Sequence, residues 1–188
     1  MAIVKIVPVK STPVNTLKYV SNPEKTNNGE LVNGINCLKK YKRADIKMEY
    51  TRQKYGKDDK NRLLHVIHSY SNKEVNLTPE LAHDISIEWY KAMFSDKAIT
   101  LLATHIKTSD EKALHTHFCV NSIGLDGKRI RLDKAWVKEA KEKSNEICRS
   151  YGLKNSILEF KNIVPSKSWY EYDCIRKGIS IKTKLSKN

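Results

Sequence analysis

The chain has 188 residues, enough for one well-cored domain and too few to expect two. Its 39% hydrophobic and 30% charged residues, with seven Gly and five Pro, exclude a disordered or fibrous protein. Lys and Arg number 35 against 21 Asp and Glu; the resulting formal charge of +14 favours a polyanionic partner, nucleic acid ahead of a membrane surface.

The first residues, 2–9, mix apolar residues with Lys5 and predict a strand rather than a signal peptide, whose apolar core they lack. No apolar stretch approaches the roughly 18 residues of a spanning helix. Residues 15–22 predict a short helix stopped by Pro23, and 26–30 (TNNGE) a turn. From 38 to 62 the chain is dense in cations, among them Lys39, Lys40, Lys42, Arg43 and Arg52, around a helix expected at 43–56. Those cations suit either a solvated helix face or a phosphate-tracking surface.

A strand is expected at 63–70 (LLHVIHSY), then a helix to Phe94 with Thr78 as N-cap and Pro79 in its first turn. Strands follow at 99–106 and 115–123, joined by a polar loop at 107–113. Asp126-Gly127 has hairpin-turn chemistry, and 133–151 predicts a long helix ended by Gly152. The remainder is irregular and basic and ends without a closing apolar element, which predicts a domain normally followed by more protein. Together these elements predict a single α/β (α+β) domain, 1–188, with a central, mainly antiparallel sheet, packed helices and a functional site on its open face. Cys37, Cys119, Cys148 and Cys174 show no CxxC spacing, which argues against a zinc ribbon or a disulfide framework and fits a reducing cytoplasm.

Six histidines are present. On a strand, residues two apart share a face, so His115 and His117 present their imidazoles side by side. If the two strands form an antiparallel hairpin, His105 at the end of the first lands beside them. Three neutral imidazoles with positions left over suit a divalent cation acting as a Lewis acid; two strand histidines can also be merely half-buried polar residues. Asn121 lies on the same face as His117 and is a reasonable neighbour of the metal or of a phosphate. His65 and His68 face opposite ways and His83 sits in a helix; for these three a structural role is expected.

ATHI (103–106) followed by HTHFCVNSIG (115–124) resembles the metal motif of relaxases in the HUH endonuclease superfamily. LKYVSNPEKT (17–26) looks like the motif that carries the nucleophilic tyrosine in the MobA/MobL-like, MobP-type mobilisation relaxases. HVIHSYSN and LTPELAHDIS between them, and SNEICRSYGL and SKSWYEY after them, extend the similarity along nearly the whole chain.

The resemblance implies an HUH-like fold, Tyr19 as nucleophile, His105, His115 and His117 as metal ligands, and Mn²⁺ or Mg²⁺ as cofactor. The implied substrate is single-stranded or locally melted DNA at an origin of transfer, with relaxosome accessory proteins and a coupling protein as further partners. The chain departs from the family pattern at Lys107, where an acid is usual and for which Asp110 or Glu111 is a substitute, and at His68, where glutamine is expected.

The implied reaction is a reversible transesterification that leaves a 5′-phosphotyrosyl link and a free 3′ hydroxyl. Lys25 could reach a phosphate. Tyr50, Tyr55 and Tyr70 are the alternatives to Tyr19. The basic segments 38–62 and 161–188 are expected to neutralise phosphates. Trp169 is the candidate for base stacking, whereas Trp89 and Trp136 are expected in the core. Two rival functions share parts of this pattern: a rolling-circle replication initiator, which usually places its tyrosine after the histidines, and a non-catalytic DNA-binding accessory protein.

Overall fold

The computed structural model describes residues 2–9, 13–57, 61–71, 74, 76–106 and 113–153, all within one compact unit, Met1–Asn155. Five strands, β1 (Ala2–Val9), β2 (Val32–Ile35), β3 (Leu63–Tyr70), β4 (Thr100–His105) and β5 (His115–Asn121), form one antiparallel sheet in the order β1-β3-β5-β4-β2. Among the described residues four α-helices accompany it: α1 (Pro13–Val20), α2 (Tyr41–Lys54), α3 (Pro79–Phe94) and α4 (Lys134–Ser150).

The most apolar strands occupy the middle. Every residue of β4 is buried, and so are all but the first of β5. Alternation along β5 separates two cores. Phe118 and Val120 join Trp89, Ile85 and Tyr90 of α3 and Ala140 and Ile147 of α4, with Trp136 packed at the margin. Cys119 joins Leu17 and Val20 of α1 and Ala44 and Met48 of α2. The sheet is therefore covered on both faces, which corrects the expectation that the site lies on an open one. Helices α1 and α2 lie over the histidine face, and the site sits at the end of β4 and the start of β5.

The predicted elements recur with small shifts at their ends, and the sequence reading missed β2. Thr78 caps α3 through the Leu81 amide at 3.2 Å, and Asp133 caps α4 through Trp136 at 2.9 Å. Pro23 does more than stop a helix, for it opens a 3-10 turn, Pro23–Lys25, capped by the Asn22 side chain. Beyond that turn Asn27, Asn28 and Gly29 all take positive φ, which Asn and Gly tolerate best, and the chain reverses into β2. Gly34 in β2 has no room for a side chain: a Cβ there would lie 2.8 Å from the Leu38 carbonyl carbon. That lack of a side chain lets the Cys37–Lys39 segment lie close against the sheet edge.

Candidate metal centre

Strand register builds the histidine cluster. His105 pairs directly with His115 across β4 and β5, and His117 lies two residues on, along the same face. Ring centroids are 5.1 Å apart for His105–His115, 4.4 Å for His105–His117 and 4.7 Å for His115–His117. One nitrogen from each ring lies within 4.8 Å of the others, so the three can face a common point.

Hydrogen bonds hold the other nitrogens. His105 Nε2 donates to the Val20 carbonyl at 2.8 Å, leaving the lone pair on Nδ1. His115 Nδ1 donates to the Ala113 carbonyl at 2.7 Å, leaving the lone pair on Nε2. His117 Nδ1 meets His65 Nε2 at 2.8 Å, while His117 Nε2 is buried with no hydrogen-bond partner. Buried polar atoms are seldom left so, and a lone pair aimed into a cluster of imidazoles is what a metal ion satisfies. The donor set thus fits a divalent cation.

Charge agrees with this. Burial, with the neighbouring His115, Lys25 and His65 adding to it, pushes His105 down to about 4, although its bond to Val20 opposes the shift. Burial likewise pushes His117 far down, aided by the surrounding histidines and Lys25. His105 and His117 are therefore neutral at pH 7 and offer lone pairs rather than protons.

Tyr19 stands at the edge of this cluster, half exposed at 50%. Its ring meets His105 edge-on at 5.7 Å and His117 at 6.1 Å. The Lys25 ammonium lies 4.2 Å from its centroid, a cation–π contact on the ring face. Local sequence explains the placement. Leu17 and Val20 are the buried residues of the last turn of α1, so Tyr19 between them points outward. Ser21 Oγ returns to the Leu17 carbonyl at 2.7 Å and Thr26 Oγ1 to the Asn22 carbonyl at 2.9 Å, folding the SNPEKT segment tightly. The Ile106 amide then donates to the Lys25 carbonyl at 2.8 Å, docking that segment beside His105.

Several expected site residues lie elsewhere. Asn121 is buried: its Oδ1 accepts from Arg52 Nη1 at 2.9 Å, and its Nδ2 donates to the Ile123 and Met48 carbonyls at 2.9 and 3.3 Å. Four residues along the strand from His117, or roughly 13 Å, it is a packing node rather than a neighbour of the cluster. Arg52, expected on a DNA surface, is only 2% exposed. Lys39, Lys40, Lys42 and Arg43 line a cleft of about 390 Å³ with Tyr41, Gly29, Val32 and Ser21, two residues past Tyr19. Among the alternative tyrosines, Tyr70 is buried and bonded to Ser86, and Tyr55 bonds to the Leu125 carbonyl. Tyr50 is exposed on α2. Lys107, Asp110, Glu111 and Trp169, and the basic segment 161–188, lie outside the described residues.

The sequence reading gave His65 a structural role, yet its ring lies 4.9 Å from that of His117 and bonds to it. His68 and His83 do behave structurally, bonding to Ser144 and Thr104.

The fold is shared with known relaxases. The MobM relaxase domain of plasmid pMV158, solved Mn-bound with 22 nucleotides of oriT DNA, superposes with TM-score 0.61 at 11% identity, covering 92% of this chain and 98% of that one. A second MobM complex gives 0.59 at 13% identity, covering 93% and 98%. A protein solved in work on vancomycin resistance transfer in Staphylococcus aureus gives 0.52 at 12%, covering 82% and 96%. At such identities these show the fold alone. No curated protein matches the chain by sequence. A family model for the MobA/VirD2-like relaxase nuclease domain matches residues 19–153, from the half-exposed tyrosine through every histidine described above. With most of its length matched, the chain belongs to the MobA/VirD2-like relaxase nuclease-domain family.

Proposed function

We propose that this nuclease domain nicks one strand of DNA at an origin of transfer, with Tyr19 as nucleophile and His105, His115 and His117 as ligands of a divalent metal. One observation carries the reading. Three imidazoles turn their lone-pair nitrogens toward one point, one of them a buried orphan, and a half-exposed tyrosine stands edge-on to two of them. The oriT DNA and Mn in the MobM complexes support the substrate and the ion class.

The metal would be held by His105 Nδ1, His115 Nε2 and His117 Nε2. A bound divalent ion supplies Lewis acidity to a phosphodiester, neutralising charge on its non-bridging oxygens. Of Mn²⁺ and Mg²⁺ we take Mn²⁺, because an all-imidazole set suits a transition metal, whereas Mg²⁺ prefers carboxylate and water oxygens. In the reaction Tyr19 Oη bonds to phosphorus as the bond from phosphorus to the 3′ oxygen breaks. The phenolic proton is lost and the departing oxygen ends as a 3′ hydroxyl. One phosphodiester replaces another, so the step can reverse and reseal the strand. Lys25 holds the Tyr19 ring by its face and carries positive charge where the phosphate must approach. The cations of the α2 cleft, beginning at Ser21, bind the adjoining backbone of the strand. Melting the duplex at the origin falls to accessory proteins, and delivery of the nicked strand to a coupling protein.

The test uses labelled single-stranded oligonucleotides from the element's own transfer origin, with Mn²⁺ and with EDTA. The expected result is a denaturation-resistant protein–DNA adduct that needs metal and is absent in Tyr19→Phe. DNA binding on the true origin without metal and without an adduct would instead assign an accessory role.

A further inference from the structure

We propose that His65 is a positioning residue of the metal centre: it accepts the Nδ1–H of His117 and so fixes that ring in the tautomer whose Nε2 lone pair faces the cluster. This rests on the metal-site reading above. Strand register puts the two rings together. His65 pairs with Cys119 on β5, which makes His117 its diagonal neighbour on the same face, and long side chains bridge such a diagonal. The nitrogens are 2.8 Å apart.

The direction of the bond follows from what each choice would leave behind. A neutral imidazole has one donor and one acceptor nitrogen. If His117 accepted from His65, its proton would sit on Nε2, a buried N–H with no acceptor. Such a donor costs about 1–3 kcal/mol and turns a proton toward the metal. If His117 donates, the buried atom is a lone pair, which is what a metal needs. His65 then carries its own proton on Nδ1.

His65 also differs in kind from the other orienting groups. His105 and His115 are held by the main-chain carbonyls of Val20 and Ala113, which side-chain substitution does not delete. His117 is held by a side chain, and outer-shell partners of metal-bound histidines commonly set affinity by 10–100-fold. Here the partner is a neutral imidazole where a carboxylate often serves.

The test measures Mn²⁺ affinity by titration calorimetry, and the His117 tautomer by long-range ¹H–¹⁵N spectra of the metal-free chain. Wild type and His65→Ala, His65→Gln and His65→Glu are compared, each with its metal-free melting temperature. Glutamine keeps an acceptor near the position of Nε2 and glutamate adds charge to it. The expected order is glutamate at least equal to histidine, glutamine within a few-fold, and alanine about 10–100-fold weaker, with His117 in the Nδ1–H form in wild type and mixed in His65→Ala. Wild-type affinity and an unchanged tautomer in His65→Ala would overturn the proposal. So would a folded His65→Gln as weak as His65→Ala, since packing alone would then explain the loss. Should wild type bind no Mn²⁺, the metal reading fails, while the tautomer in the metal-free spectra still decides whether His65 orients His117.

Discussion

Replacing His68 by glutamine should invert the stability difference between variant and wild type as the pH falls. His68 is fully buried between the Trp89 and Phe118 rings, with Nε2 on Ser144 Oγ at 2.8 Å. Burial pushes it down to about 3 from an ordinary 6.5. Between those values the unfolded chain holds a proton that the native chain refuses. Stability is therefore fully present above pH 6.5 and falls as the pH drops, by about 1.4 kcal/mol per unit. The loss reaches about 3 kcal/mol by pH 4 and approaches about 5 kcal/mol below pH 3. Glutamine does not titrate, and its amide can still bond to Ser144. At pH 7 the variant should be less stable by about 1 kcal/mol, and by pH 4 more stable by about 2 kcal/mol. Urea unfolding in EDTA from pH 7 to 4 measures both proteins. His65, His105 and His117 also weaken the fold in acid, but they do so in both chains and cancel in the difference. A gap between the two proteins that does not change with pH would refute the reasoning.

Lys25→Met should slow single-turnover adduct formation about 2- to 5-fold, the worth of an exposed cation–π contact, and Lys25→Arg should recover most of it. An unchanged rate in Lys25→Met would remove Lys25 from the positioning of Tyr19. Asn121→Ala should cost about 2–3 kcal/mol of stability in urea melts, because Arg52 and two carbonyls lose a buried partner, yet leave Mn²⁺ affinity unchanged. A tenfold loss of Mn²⁺ affinity in a folded Asn121→Ala would return that residue to the site. Lys42→Ala with Arg43→Ala should lower the slope of log binding constant against log salt by about 1.4, at roughly 0.7 for each phosphate contact on single-stranded DNA. Arg52→Gln should leave that slope alone and lower the melting temperature instead, the opposite of what a DNA contact would do.

These contrasts follow the line between what the sequence shows and what it hides. His105, His115 and His117 were legible because period-2 alternation and one antiparallel hairpin are enough to gather them. The same parity put His65 and His68 on opposite faces of β3, but only the register of β3 against β5 brings His65 to His117, 52 residues away. Register is set by packing of the whole sheet, which no local window contains. Strand β2 escaped notice because VNGI is short and broken by glycine. It survives as an edge strand because Gly34 lets the 36–39 turn fold against it. Arg52 looked like its exposed neighbours in a basic helix. Yet Ala44, Met48, Thr51 and Arg52, the buried face of α2, fall at helical spacing, and that period was the available signal. Tyr19 was singled out through family resemblance rather than through its own chemistry, for nothing local distinguishes it from eight other tyrosines.

The link between Tyr19 and the histidine cluster is largely main chain. The segment from Val20 to Leu31 leaves α1 just after Tyr19 and bonds three times to the end of β4. His105 Nε2 reaches the Val20 carbonyl at 2.8 Å, the Ile106 amide the Lys25 carbonyl at 2.8 Å, and the Thr104 amide the Leu31 carbonyl at 3.0 Å. Each joins a residue at or beside His105 to a residue of the loop that follows Tyr19. The distance from the tyrosine to the histidines is thus fixed by two backbone–backbone bonds and by His105 itself, at the end of a buried strand. The tolerance this allows is at the rim, where Lys25, Lys42 and Arg43 meet solvent and can vary. The demand it imposes is on the loop itself. Pro23 must open the 3-10 turn, and Asn27, Asn28 and Gly29 must take positive φ, for Leu31 to arrive at Thr104 in register. A β-branched residue at position 28 would strain that reversal, and the strain would be felt as a displaced Tyr19 rather than as a broken histidine cluster.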